Sequence, residues 1–180
     1  MSSILIANSN ADYAKKIAAV LRSGGLNISG VCTSGSSVID FANRHYGGGV
    51  VICSTRLTDM TAFSLPGMIG SSYDFLLIVQ STHSDFSQMP PCARLIQPIT
   101  RMDLLSSVNM LLNLSDYSSL SIKKKLQSGN FDEQQMIEEA KALLQERNHF
   151  TEEQAHRFIQ KKSMDTGKKM TELAMIILNL

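Results

Sequence analysis

Seven cations stand in the last forty residues of the chain: Lys141, Arg147, Arg157, Lys161, Lys162, Lys168 and Lys169. Arg157 and Lys161 are one helical turn apart, so a helix through them puts both on one face. Lys161 and Lys162 close one helical pattern, and Lys168 and Lys169 open the next. A folded bundle that brings those ends together would gather a local basic patch suited to phosphate oxygens. Lys141 and Arg147, six positions apart, need not share a face. Lysines on a helix are most often a solvated face, and periodicity alone names no ligand.

Other chemistry is poorly supported. No nucleophile has a base beside it, and there is no metal-ligand cluster, GxGxxG or P-loop. His45, His83, His149 and His156 are scattered. Gly47-Gly48-Gly49 precedes a strand pattern, so it reads as a helix stop rather than a phosphate cradle. The expectation is a protein that is not an enzyme and carries no cofactor and no metal. Cys32, Cys53 and Cys92 lie in or beside apolar runs without CxxC spacing, as buried reduced thiols of a cytosolic protein do.

A formal net charge of +1 supplies no global field, which weighs against a strong non-specific binder of nucleic acid. The start of the chain lacks a basic region and a long apolar run, and no stretch approaches the length needed to cross a bilayer. A cytoplasmic location without a membrane partner is expected.

The elements that must position these residues are legible in the hydrophobic pattern. Short apolar runs at Ile4–Ala7, Ile28–Cys32, Val50–Cys53, Leu76–Val79 and Ala93–Ile96 read as buried strands. Between them come helices from Asp12 to Ser23, stopped by Gly24-Gly25, and from Ser36 to His45, stopped by the glycine run. A further helix from Arg101 to Leu112 turns Leu104, Leu105, Val108, Leu111 and Leu112 inward. Strands apolar on both faces and alternating with helices imply a parallel sheet covered on both sides. Five such units fit an α/β, flavodoxin-like, doubly wound five-stranded fold over residues 1–114.

Residues 115–130 are a compositional break, Ser-rich with Lys123-Lys124-Lys125, and read as a connector with a weak amphipathic pattern. Residues 131–180 read as a small all-α domain of three helices: Asp132 to Arg147, Thr151 to Lys162, and Thr166 to Leu178. Met136, Ile137, Ala140, Leu143 and Leu144 form the stripe of the first. Thr151 caps the second, and the third is expected to bury Met170, Leu173, Ala174 and Ile177. Phe150 and Phe158 read as core. Three short helices close little core alone, and Leu114, Tyr117 and Leu120 have no obvious intramolecular home, so a homodimer is expected.

The run Ile137-Glu138-x-Ala140-Lys141-x-x-Leu144-x-x-Arg147, a short loop, then Thr151-Glu152-Glu153-x-Ala155 closely resembles the ANTAR domain. The resemblance implies a three-helix RNA-binding module of transcription antitermination regulators. Lys141 and Arg147 match its most characteristic positions, while Ala142 stands where many members have Gly, a change that favours the helix. RNA loops are held through phosphate contacts and through stacking and edge contacts to splayed bases. Lysine and arginine suit the first, and His149, Phe150 and His156 could serve the second where exposed.

The first domain resembles a CheY-like receiver in Ile4-Leu5-Ile6-Ala7-Asn8-Ser9, in Val51 to Met60 and in Gln97-Pro98. Receivers carry an acidic pair, a phospho-accepting Asp, a Ser or Thr, and a Lys-Pro at successive strand ends. On that pattern the acidic pair falls on Asn8 and Ser9, the acceptor on Ser54, the hydroxyl on Ser81 and the lysine on Gln97. Phosphoryl transfer to Asp needs Mg²⁺ on hard anionic oxygens, which this degenerate phospho-acceptor site does not supply. Asp12 and Asp59 lie nearby in sequence but fall outside the acceptor position.

The resemblance therefore implies an RNA-binding antitermination regulator that binds nascent-mRNA leader hairpins and prevents terminator formation. Its receiver would serve dimerisation or control by a sensor or ligand-binding protein. The alternative is a protein-interaction adaptor with a helical docking tail and no RNA contact.

Overall fold

The structure, a computed structural model, describes residues 3–70, 72–81, 90, 92–116 and 132–178. Strands β1 (Ser3–Ala7), β2 (Gly30–Cys32), β3 (Gly49–Ser54), β4 (Tyr73–Val79) and β5 (Ala93–Ile96) form one parallel sheet in the order β2-β1-β3-β4-β5. This is the flavodoxin-like order, and the strand sequence reverses direction beside β1. Helices α1 (Ala11–Ser23), α2 (Gly35–Arg44), the short α3 (Leu65–Met68) and α4 (Arg101–Asp116) accompany the strands.

The two-residue alternation of the strands divides the sheet into two cores. Ile4, Ile6, Val50, Ile52, Leu76, Ile78, Ala93 and Leu95 pack with Ile17 and Leu21 of α1 and Val108 and Leu111 of α4. Leu5, Ala7, Val51, Cys53, Phe75, Leu77 and Val79 face the other way, toward Val38 and Ala42 of α2 and Leu65 of α3. Neither face of the central strands meets water, which is why those runs carry almost no polar residue.

Local chemistry fixes the boundaries. The Asn10 side chain accepts from the Asp12 and Tyr13 N–H groups and so caps α1, which stops at Gly24. The glycine run behaves differently from its expected role as a helix stop. Helix α2 already ends at Arg44 with His45 as its cap, and the glycines form the entry to β3. Gly49 sits at φ +153°, and a Cβ there would lie 1.9 Å from the Ser3 carbonyl oxygen, so only glycine fits.

The tail folds as α5 (Glu133–Asn148), α6 (Glu152–Thr166) and α7 (Met170–Leu178). Asp132 caps α5, and Thr151 and Gln154 make a reciprocal capping box on α6. The last boundary differs from the expected one. Thr166 closes α6, its hydroxyl donating to the Lys162 carbonyl at 2.6 Å. Gly167 then turns left-handed at φ 66° and ends that helix.

Helix α7 also buries more than one stripe. Thr171, Glu172, Leu173, Ala174, Met175, Ile176 and Ile177 are all buried, because α7 packs against α5, α6 and the receiver helix α4 together. A helix apolar nearly all round needs cover on every side, and here the first domain supplies part of it. This corrects the expectation for Leu114: it is fully buried in one continuous core with α4 and the tail helices. It therefore gives no argument for a partner chain. Tyr117, Leu120 and the connector from 117 to 131 lie outside the described residues. Among the described residues, no helix is long and apolar enough to cross a membrane.

Candidate functional site

The structure sorts the seven tail cations by direction. Arg147, Arg157, Lys161 and Lys169 are exposed, whereas Lys141, Lys162 and Lys168 are buried. The turn at Gly167 does bring the end of α6 to the start of α7, with the Ser163 hydroxyl donating to the Lys168 carbonyl at 2.6 Å. Yet each adjacent pair splits: Lys161 and Lys169 point to water, Lys162 and Lys168 inward. Arg157, one turn before Lys161, makes only an exposed pair with Glu153 at 2.6 Å, a contact worth little in water.

Arg147 stands apart from that group. It lines a depression with Leu95, Ile96, Ile99, Asp103, Glu146 and His149, at the end of β5. Lys161 lines a recess with Tyr73 and Asp74, at the start of β4. The strands are parallel, so these two cations flank opposite ends of the β4–β5 pair. His149, the left-handed cap of α5, and His156 are exposed. Phe150 and Phe158 are core, as expected, with ring centroids 5.3 Å apart.

The inward cations are structural staples. Lys141 Nζ donates to Glu138 at 2.8 Å and to Glu152 at 3.2 Å, tying α5 to the first turn of α6. The Glu138 contact raises the Lys141 pKa; burial opposes it and Glu152 adds to it. Lys162 pairs with Asp74 of β4, and both side chains are 7% exposed. Lys168 Nζ donates to the Leu114 carbonyl at 2.9 Å, in the last turn of α4, where orphan carbonyls favour a cation.

Residues that sequence reasoning missed complete this seam between the domains. Asn148 Nδ2 donates to the Ser107 hydroxyl at 3.3 Å and to the Arg94 carbonyl at 3.4 Å. Arg94, buried on β5, donates to the Gln154 amide oxygen and lies 5.2 Å from the Phe150 ring centroid. Burial lowers the Arg94 pKa. A signal was available: Arg94 and Asp74 are charges inside otherwise apolar strands, and such charges demand buried partners.

Four of the five receiver positions lie together. Asn8, Ser9, Ser54 and Gln97 line one cleft of about 370 Å³ with Asn10, Tyr13, Thr55, Arg56, Ile78 and Gln80. Ser81 is exposed just beyond β4 and is not among the lining residues. Asn8 is buried, and its Oδ1 accepts the Asn10 N–H at 2.9 Å. The Ser54 hydroxyl donates to the Arg56 carbonyl at 2.7 Å, and Gln97 Nε2 donates to the Tyr13 hydroxyl at 2.8 Å. No carboxylate lines the cleft among the described residues.

The two nearby acids are occupied elsewhere. Asp59 accepts the N–H groups of Gly35 at 2.6 Å and Ser36 at 3.0 Å, which caps α2. Those bonds, Ser36 first, lower its pKa. Asp12 is exposed and faces Lys15 at 3.5 Å. Among the described residues no group of three His, Cys, Asp or Glu is placed to hold a metal ion. Cys32, Cys53 and Cys92 are free thiols; Cys53 and Cys92 are buried and Cys32 is half-buried.

Residues 128–178 match the family model of the ANTAR domain. The transcriptional regulatory protein PdtaR of Mycobacterium tuberculosis (strain CDC 1551 / Oshkosh) is 23% identical over 97% of this chain and 88% of its own length. A CheY-like response regulator receiver domain protein from Methanospirillum hungatei JF-1 superposes with a TM-score of 0.55 at 14% identity, covering 65% of this chain and 98% of that one. A response regulator receiver protein from Sinorhizobium medicae WSM419 gives 0.53 at 19% identity, covering 64% and 97%. With the sheet order and the three tail helices, these matches show a domain of receiver fold followed by an ANTAR domain.

Proposed function

We propose that this protein is an RNA-binding transcription antitermination regulator that binds nascent-mRNA leader hairpins and prevents terminator formation. The observation that carries this reading is the ANTAR match over residues 128–178 on a tail that keeps Arg147, Arg157, Lys161 and Lys169 exposed. PdtaR, similar over nearly the whole chain, is named a transcriptional regulatory protein. Arg157, Lys161 and Lys169 are the phosphate contacts, and Arg147, set apart beside His149, is the base-reading candidate. Lys141, Lys162 and Lys168 serve the surface indirectly, by holding the helices that carry it.

The receiver works without phosphorylation in this reading. Its cleft offers neutral amides and hydroxyls where Mg²⁺ and an acyl phosphate need carboxylates. Its role is contact, with a second copy or with a sensor or ligand-binding partner. Incubation with Mg²⁺ and a small phosphodonor is expected to leave the mass unchanged; stoichiometric acid-labile phosphate would overturn this part.

The RNA reading is tested by salt-dependent binding of a two-hairpin leader RNA. Lys161→Gln and Lys169→Gln should each weaken all hairpins alike and lower the salt slope by about one. Arg147→Gln should cost more on the correct loop than on a scrambled one. A folded R147Q/K161Q/K169Q variant that binds as tightly as the parent makes the tail an adaptor that docks protein.

A further inference from the structure

The cleft at the ends of β1 and β3 has lost its expected chemistry but keeps the form of a site. It lies at the carboxyl ends of the strands, beside β1, where the strand order reverses and open α/β sheets take their ligands. Its volume of about 370 Å³ falls in the range of small-molecule sites. Asn8, 5% exposed, uses its amide oxygen on Asn10 while its amide NH₂ makes no hydrogen bond among the described residues. A donor on a cleft wall that is not spent on the protein is available to a ligand.

The charge of the lining selects the ligand. Arg56 is the one charged residue among the described residues that line it, and its backbone is pinned on several sides. The Ser54 hydroxyl holds the Arg56 carbonyl at 2.7 Å, the Leu57 N–H donates to Met60 at 2.9 Å, and Arg56 bridges Thr61 across the turn. Helix α1 opens at the same wall through Asn10, and its N-terminal dipole favours negative charge. The acid of that first turn, Asp12, is exposed beside Lys15 and is absent from the lining. Tyr13, which accepts from Gln97, keeps its own hydroxyl proton to donate. A cation would face the repulsion of Arg56, whereas an oxyanion would meet donors from Asn8, Tyr13 and Arg56 together.

We propose that this cleft binds a small organic oxyanion, a carboxylate or a phosphate monoester, directly and without a metal ion. The site is independent of RNA binding by the tail.

The test is a titration of the full chain, followed by backbone-amide NMR, with inorganic phosphate, glycerol phosphate and succinate in the presence of EDTA. At least one probe should give saturable shifts centred on Asn8, Thr55, Arg56 and Gln97; the tighter of the phosphate and carboxylate arms names the class. Arg56→Gln removes an exposed side chain, and Asn8→Asp keeps the acceptor for the Asn10 N–H while replacing the donor with negative charge. Each should weaken binding about tenfold or more, the scale of one charge-assisted contact. Absence of saturable shifts with all three probes at tens of millimolar overturns the proposal. So does binding that needs Mg²⁺, or an affinity that either variant leaves unchanged.

Discussion

At the ends of β1 and β3 the cleft is lined by amides, hydroxyls and one guanidinium and stays open to water. Along β5 and the start of β4, by contrast, Asp74, Arg94, Lys162 and Lys168 are buried against the tail with partners at each charge. A receiver-like chain thus lacks carboxylates where receivers carry them and has buried charge where two domains meet. The two arrangements respond differently to loss. An exposed polar contact exchanges with water at little cost, while half of a buried pair leaves its mate desolvated. The seam should therefore be brittle and the cleft forgiving.

The largest effect is expected at the seam. Lys162→Met should lower unfolding stability by about 3–5 kcal/mol, because it strips the cation from buried Asp74. Denaturant melts would show this, and a loss under about 1 kcal/mol would mean that the seam opens readily in solution. Next comes Leu114→Ala, which empties a fully buried position shared by α4 and the tail. It should cost about 2–5 kcal/mol in the monomer. A cost that grows with protein concentration would instead place Leu114 at an interface between copies.

Alkaline pH acts on the sheet through its thiols. Burial, with Asp59 adding to it, pushes Cys32 up to about 11. Burial pushes Cys92 up to about 12, against the pull of Arg94 and Lys161. Unfolded thiols ionise near 8.5, so the folded state holds more protons above that value. Stability should be level below about pH 8.5 and fall as pH rises toward 11. A melting temperature that stays flat from pH 8 to pH 10, or rises, would count against buried protonated thiols. The smallest effect belongs to the cleft: Ser54→Ala removes one half-exposed bond to Arg56 and should cost about 1 kcal/mol or less.

The sequence by itself determined the strands, the order of helices and the cap at Thr151, while the grouping of Asn8, Ser9, Ser54 and Gln97 followed from the receiver resemblance. The elements and the cap rest on local periodicity and local chemistry, which survive into the fold unchanged. It did not determine which lysines remain free. Lys161 and Lys162, or Lys168 and Lys169, are neighbours of one residue type, and nothing local distinguishes them. Asp74, on a strand far earlier in the chain, draws Lys162 inward, and the Leu114 carbonyl does the same for Lys168. The home of Leu114 was hidden for the same reason, since its cover comes from helices beyond the connector. A side chain's direction on an amphipathic helix follows from spacing, but burial of a charge depends on a partner that only the assembled core brings within reach.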